Sequence, residues 1–451
     1  MVDTANSDAR SRNVKSFEVN HTMVLHLAVP MTLAYLTTPL LGLVDTAVVG
    51  RFGVAAMIGG LAVGSVIIDL VFTTFNFLRA GTTGLTAQAF GAQDEKEKQA
   101  VLFRALVIAI VAGLVMILAS PLILGLGLWF MSAPAAVEEA TRTYFLIRML
   151  SAPFTLGNYV ILGWLLGIGR SGTTLAVQLL LNGTNIILSI FLGLWLEWGI
   201  AGVAMATIVG EVLAFVVGSI ICWRLLDHSI RPSRTRIMES AAWKRLVNLN
   251  SDIMIRSFAL LFAFAWFTKQ GTSLGEVTLA ANALLMHFFL LAGYFLDGLA
   301  TAAEQIVGRA IGANYRAGFW RGVKLTSFWN FVMACILTIL FWFFGEALIN
   351  LMTTNGEVRA NAMQHILWVV LIPLTGVLAF QMDGVFIGAT WSRDMSIMML
   401  VSLVAYVIIM ALAKPELGNH GLWLALNAFV LVRGLTLSLR IGPRAKRAFL
   451  T

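Results

Sequence analysis

Residues 24–50 read VLHLAVPMTLAYLTTPLLGLVDTAVVG, an apolar run interrupted by Pro30, Pro39 and a single carboxylate, Asp45. An α-helix crosses the hydrocarbon of a bilayer with about 20 residues, so this run is long enough to span. A lone carboxylate at the centre of such a helix costs about 2.5–3.5 kcal/mol on insertion scales, which marks Asp45 as a group whose charge is used. Hydrogen bonding to a neighbouring helix, with no part in function, is the other reading of Asp45.

Similar runs fill the chain. Of its 451 residues 59% are hydrophobic and only 12% charged, and the mean hydropathy of +0.85 excludes an ordinary soluble domain. Runs long enough to span are expected at 22–50, 56–90, 101–130, 140–168, 173–196, 199–226, 243–269, 276–312, 318–348, 362–390, 394–414 and 419–440. Spanning strands would alternate over about ten residues, whereas these Leu/Val/Ala runs are uninterrupted and predict helices. The expected class is an all-α polytopic membrane protein with twelve transmembrane helices in two six-helix bundles.

The net charge of +8 follows from topology better than from an acidic or nucleic-acid partner. With the N-terminus in the cytoplasm, 22 of the 31 Lys and Arg fall in cytoplasmic segments, among them Arg10, Arg12, Lys15, Arg170, Arg231, Arg316 and Arg444. External loops carry acids instead, as at Glu138, Glu139 and Glu197. That asymmetry predicts both termini inside, with a cytoplasmic tail over 1–20 and another over 441–451. The tail has no apolar core, so the first helix is expected to act as an uncleaved signal. Cys222 and Cys335 lie in apolar helices and are expected to be packing residues.

The most hydrophilic interior stretch, DHSIRPSRTR at 227–236, lies in a linker placed at 227–242. It divides the chain into an N-terminal lobe over 21–226 and a C-terminal lobe over 243–440. Shifting the sequence by 221 positions lays AQAFGAQ (87–93) on GRAIGAN (308–314) and GWLLG (163–167) on GVFIG (384–388). One shift serving two motifs about 75 residues apart predicts an internal duplication of parallel type, as in transporters with two rocking lobes. Glycines four apart also allow helices to approach closely whatever their ancestry.

Four stretches, FLRAGTTGLTAQAFGA (77–92), NSDIMIRS (250–257), LDG (296–298) and MDGVFIGA (382–389), resemble the DinF branch of the multidrug and toxic compound extrusion (MATE) transporters. The resemblance spans nearly the whole chain. It implies alternating access and export of amphipathic, often cationic, compounds against an inward flow of protons or sodium ions.

Along the first helix Met31, Tyr35, Thr38, Gly42 and Asp45 recur at helical spacing and form one face suited to a cavity wall and to binding cargo. Pro30 and Pro39 leave backbone carbonyls free, so this helix can bend. The resemblance implies that it bends as the carboxylate at Asp45 gains a proton. On the fifth helix Asn182, Asn185 and Ser189 form a polar stripe that needs partners, with Asp45 among the choices. The family pattern Asn-x-x-Leu-Asp stands here as Asn185-Ile-Ile-Leu-Ser189, and the missing second acid favours protons over sodium. Thr207 and Tyr144 match family positions beside this site.

Asp383 is the C-terminal counterpart in helix position, although the 221 shift pairs it with Leu162; it offers a second protonation or cargo-binding group. Asp252 and Arg256, one turn apart, are expected to neutralise each other. Asp69, Arg79, Glu211, Asp297, Glu304 and Arg433 are expected to pair between helices. The interior cations counted from sequence are Arg79, Arg256 and Arg433. An interior of net acidic character favours cationic cargo over the anionic pyrophosphate lipids of a flippase, which is the rival reading with the same two-lobe plan.

No HExxH pair, GxSxG elbow, P-loop or Cys/His cluster occurs, so an enzyme is not expected. The expected partners are small amphipathic cations, protons with sodium as the alternative coupling ion, and the lipid bilayer. No cofactor, metal or nucleic acid is expected, and the chain is expected to act as a monomer.

Overall fold

The computed structural model describes residues 16–131, 134–230 and 232–450. Residues 1–15 of the expected tail, with Arg10, Arg12 and Lys15, lie outside the described residues, as does Arg231 of the linker. The described residues form helices only: α1 (His21–Gly50), α2 (Ala55–Thr74), α3 (Phe77–Ala92), α4 (Glu95–Met131), α5 (Ala135–Met149), α6 (Ala152–Gly167), α7 (Ser171–Leu188), α8 (Gly199–Leu225), α9 (Arg234–Ile237), α10 (Ser240–Thr272), α11 (Glu276–Gly312), α12 (Arg316–Met352), α13 (Gly356–Gly388), α14 (Ser392–Leu417) and α15 (Asn419–Leu450). Among the described residues eleven apolar spans are long enough to cross a membrane, α2 and α3 forming one of them, and α5 with α6 forms a twelfth that is bent by 52°. Each matches one of the twelve runs expected from sequence.

The breaks have local causes. Pro153, in the first turn of α6, has no N–H to donate back into α5, so the span is interrupted at Leu150 and Ser151. α7 continues as a π-helical stretch over Ser189–Trp195, a wider winding found mostly at functional positions. α1 runs unbroken through Pro30 and Pro39. Pro30 leaves the carbonyl of His26 without its helical donor, and the Ser171 hydroxyl on α7 donates to that oxygen at 2.8 Å.

Two halves pack separately over most of their depth. Phe267, Phe288, Phe341, Trp423 and Phe429 anchor a core drawn from α10 to α15 alone. The N-terminal core, around Phe72, Phe145, Leu156 and Trp164, runs across to Ala303, Val307 and Phe386 of the other half. The halves meet mainly at the basic end of the bundle. There the first half of α1 packs on α11 through Val24, Leu27 and Ala28 against Leu299, Ala302 and Ile306, whereas further along α1 Leu40 and Leu43 are 49% and 67% exposed.

The seal repeats itself at the 221 spacing. A Cβ on Gly91 would stand 2.0 Å from the Arg309 carbonyl oxygen, and one on Gly312 would stand 1.9 Å from that of Gln88. Within the halves, Gly163 meets the Arg79 carbonyl at 2.4 Å and Gly384 meets the Ala300 carbonyl at 2.2 Å by the same measure. Left-handed backbone recurs at Gln93 and Asn314, and at Gly169 and Thr390. No side chain larger than hydrogen fits these crossings, because the obstacle is main chain that cannot rotate away.

The segment joining the halves is bolted down. Arg104 of α4 donates to the carbonyls of Arg236 and Ile237 at 2.9 and 3.1 Å, and Arg236 pairs with Asp94 and Glu97. Neither cysteine is in a disulfide; Cys222 is buried and Cys335 partly so.

Candidate functional site

Between the halves lies a cavity of about 660 Å³ lined by residues of both. The predicted stripe of α1 forms part of its wall: Met31, Tyr35, Thr38, Gly42 and Asp45, with Pro39. Tyr144, Asn182, Asn185, Thr207 and Asp383 line it as well. Pro30 does not, although its neighbour Met31 does; the carbonyl it frees, at His26 one turn back, is held by Ser171. Four of the six tyrosines of the chain face this space, Tyr35, Tyr144, Tyr159 and Tyr294, and their rings offer flat apolar surface with a polar tip.

Asp45, 8% exposed, is held by neutral groups. The Ser189 hydroxyl donates to its Oδ1 at 2.9 Å and lies 3.5 Å from Asn185 Oδ1. Asn185 Nδ2 donates to Thr207 Oγ1 at 2.7 Å, and Thr207 donates to the Val203 carbonyl at 3.2 Å. Three of the polar residues read from sequence therefore form one chain that ends on the carboxylate. Asn182 belongs to a different set: it donates to Thr37 Oγ1 at 2.6 Å and accepts from Gln178 at 3.1 Å. Both sets meet α1, Asn182 at the level of Thr37 and Ser189 about two turns further along at Asp45.

Asp383, 4% exposed, is held by charges. Its Oδ2 accepts from Arg433 Nη2 at 2.9 Å and from Arg256 Nη2, while its Oδ1 has no partner. The Asp252–Arg256 pair expected from helical spacing is therefore not formed. Asp252 accepts from the Ser392 hydroxyl at 2.7 Å instead. Neighbours one turn apart on a solvated helix pair weakly, and a buried carboxylate across the bundle offers Arg256 a partner in lower dielectric.

The remaining charges sort into paired and open. Arg79 of α3 meets Glu304 of α11 at 3.3 Å, bridging the halves at the floor of the cavity. Glu211 accepts from Asn158 Nδ2 at 2.7 Å. Asp69 and Asp297 line the cavity, and neither takes part in an ion pair or hydrogen bond among the described residues. Arg148 also lines it and is absent from the interior cations counted by sequence. It stands eight residues into the run 140–168, and its position inside an apolar span was the signal that finds it. In all, six carboxylates face the cavity against three guanidiniums.

The MatE family model matches residues 30–191 and again 253–412. The chain belongs to the MATE family of multidrug and toxic compound extrusion transporters. It is 36% identical over 420 residues to DNA damage-inducible protein F of Escherichia coli, covering 92% of this chain and 90% of that one. It is 24% identical to a probable multidrug resistance protein NorM of Bacillus anthracis, covering 85% of each. Among solved structures, a MATE family transporter of the MOP superfamily in an outward-facing conformation superposes with a TM-score of 0.83 at 18% identity, covering 96% and 97% of the two chains. The Vibrio cholerae MATE transporter VcmN in its bent form gives 0.86 at 18% identity, covering 95% and 98%. These two likenesses are of fold. The MATE assignment makes this a membrane efflux transporter and not an enzyme.

Proposed function

We propose that this transporter exports amphipathic cations across the bacterial inner membrane in exchange for protons, with Asp45 as the proton-carrying group. The observation that supports this reading is the single hydrogen-bonded chain from Thr207 through Asn185 and Ser189 to Asp45. A serine hydroxyl has one proton, so it serves either Asp45 or Asn185 at a time. With Asp45 charged, Ser189 donates to it. Once Asp45 takes a proton, the new O–H donates to Ser189, which turns its own proton to Asn185, and no group in the chain is left unpaired. Sodium would favour several hard oxygens with negative charge, and the position that would supply a second acid is Ser189.

Protonation is sufficient to release cargo. A cation about 5 Å from Asp45 gains about 3 kcal/mol at an effective dielectric of about 20, so neutralising the carboxylate weakens binding by about two orders of magnitude. With both termini and the basic end in the cytoplasm, the contact between the halves closes the cytoplasmic side, and protons reach Asp45 from outside. Met31, Tyr35 and Thr38 bind the apolar body of the cargo, with Tyr144 beside the proton site. Asp383, paired with Arg256 and Arg433, contributes to the cavity wall that meets the cargo. Pro30 and Pro39 let α1 bend as Asp45 changes charge. The protein acts as a monomer.

The test is ethidium efflux from proteoliposomes, driven in turn by a proton gradient and a sodium gradient. The proton gradient alone drives transport, and Asp45→Asn abolishes it. Efflux driven by sodium alone, or full proton-driven efflux by Asp45→Asn, overturns the reading.

A further inference from the structure

Arg148 is next to last in α5, at the bend that interrupts the span, so its guanidinium stands beside a helix C-terminus within the bundle, where free carbonyl ends favour a cation. Nη1 donates to the Ser151 hydroxyl at 2.9 Å, the guanidinium carbon lies 5.6 Å from the centre of the Phe72 ring, and Nε is buried without a partner. Phe72 is one turn from Asp69 on α2, which puts the cation beside that carboxylate. Asp45 and Glu211, both buried, line the same cavity as half-buried Arg148 and the more exposed Asp69. Yet Arg148 forms no ion pair among the described residues, while the two other arginines of the wall, Arg79 and Arg256, are committed to Glu304 and Asp383.

We propose that Arg148 is a specificity-determining residue, a tethered cation that stands in for cargo among Asp45, Asp69 and Glu211 and that an incoming cation must compete with. It rests on the cationic-cargo reading above. An arginine locked to one carboxylate would be screened from cargo. One left between three is attracted to all of them, repels a second positive charge entering the same space, and takes over the carboxylates when that charge leaves. The device speeds release at the expense of affinity, and it acts on charge alone, so a neutral molecule of the same shape does not sense it.

The test compares binding of ethidium and of its uncharged dihydro form, kept reduced, to the full chain in nanodiscs. Arg148→Gln is expected to tighten ethidium at least about tenfold, from loss of like-charge repulsion at low dielectric, with the dihydro form unchanged. Arg148→Lys is expected to keep wild-type affinity for both. Arg148→Met, which keeps the volume without the charge, gives the same contrast should the glutamine variant fold poorly. Unchanged or weakened ethidium binding by the uncharged variants, or an equal shift for both dyes, overturns the inference while leaving cation export standing. Wild-type protein that prefers the uncharged dye overturns the cationic-cargo reading and this inference with it.

Discussion

Asp45 and Asp383 face one cavity from opposite halves of a duplicated scaffold, yet the first is bonded by a hydroxyl and the second by two guanidiniums. A carboxylate held by a hydroxyl keeps its bond whether charged or neutral, because the hydroxyl can reverse. A carboxylate between two arginines can still accept from them once it takes a proton, but it no longer supplies the counter-charge that two guanidiniums need, and neither guanidinium can accept the new O–H. The halves thus share backbone and differ in what their acids can do. Backbone is what duplication preserved: Gly91 and Gly312 face carbonyls that no substitution can displace, whereas polar positions need only find partners, and different partners serve.

The comparison breaks most visibly in stability. Asp383→Asn removes the paired counter-charge of buried Arg433 and part-buried Arg256 and should lower unfolding stability by about 3 kcal/mol, read by thermal denaturation in detergent. Asp45→Asn, which loses no ion pair, should change unfolding stability by less than about 1 kcal/mol while removing export. Equal losses would mean that the two acids do the same work.

The seal provides the next test. Gly91→Leu and Gly312→Leu each drive a side chain into main chain, so both should hold the halves apart at the basic end and reduce export at least about tenfold, as overpacking of a rigid contact does. The checking measurement is maleimide labelling of a cysteine placed at Thr86, which should quicken in both variants. An effect in one only would show that the shared spacing does not carry shared mechanics.

Smaller effects probe the proton chain. Ser189→Ala removes one hydrogen bond to Asp45 and should slow proton-driven efflux about fivefold, in line with about 1 kcal/mol per bond. Ser189→Asp should bring a sodium response that wild type lacks, measured as the efflux rate in a sodium gradient. Ser171→Ala should cost about 0.5–1.5 kcal/mol in unfolding stability, because it leaves the His26 carbonyl under Pro30 without its donor.

Much of this was legible in one dimension. The spans follow from apolar runs, and the cavity-lining face of α1 follows from the spacing of Met31, Tyr35, Thr38 and Asp45. Asn185 and Ser189 stand out by their spacing, and Thr207 by the family resemblance. Asn182 shares their helix face, as the spacing says, but which residue of α1 stands opposite each position, Thr37 for Asn182 and Asp45 for Ser189, is set by how the two helices align in space. Asp252 and Arg256 were paired by proximity on one helix, the only distance that a sequence displays. Arg148 went uncounted because the break at Pro153, which brings a helix end into the bundle, gives a mid-membrane setting to a residue near the start of its run.

The sequence by itself determined that the chain crosses a membrane many times, that it is built from two related halves, and that Asp45 is an expensive charge kept in a helix. Each of these rests on local hydropathy, spacing or composition. Only the tertiary structure decided which charges are neutralised and which are left open. Partners for Asp383 and Glu304 come from helices distant in the chain, and in low dielectric the nearest opposite charge in space prevails over the nearest in sequence.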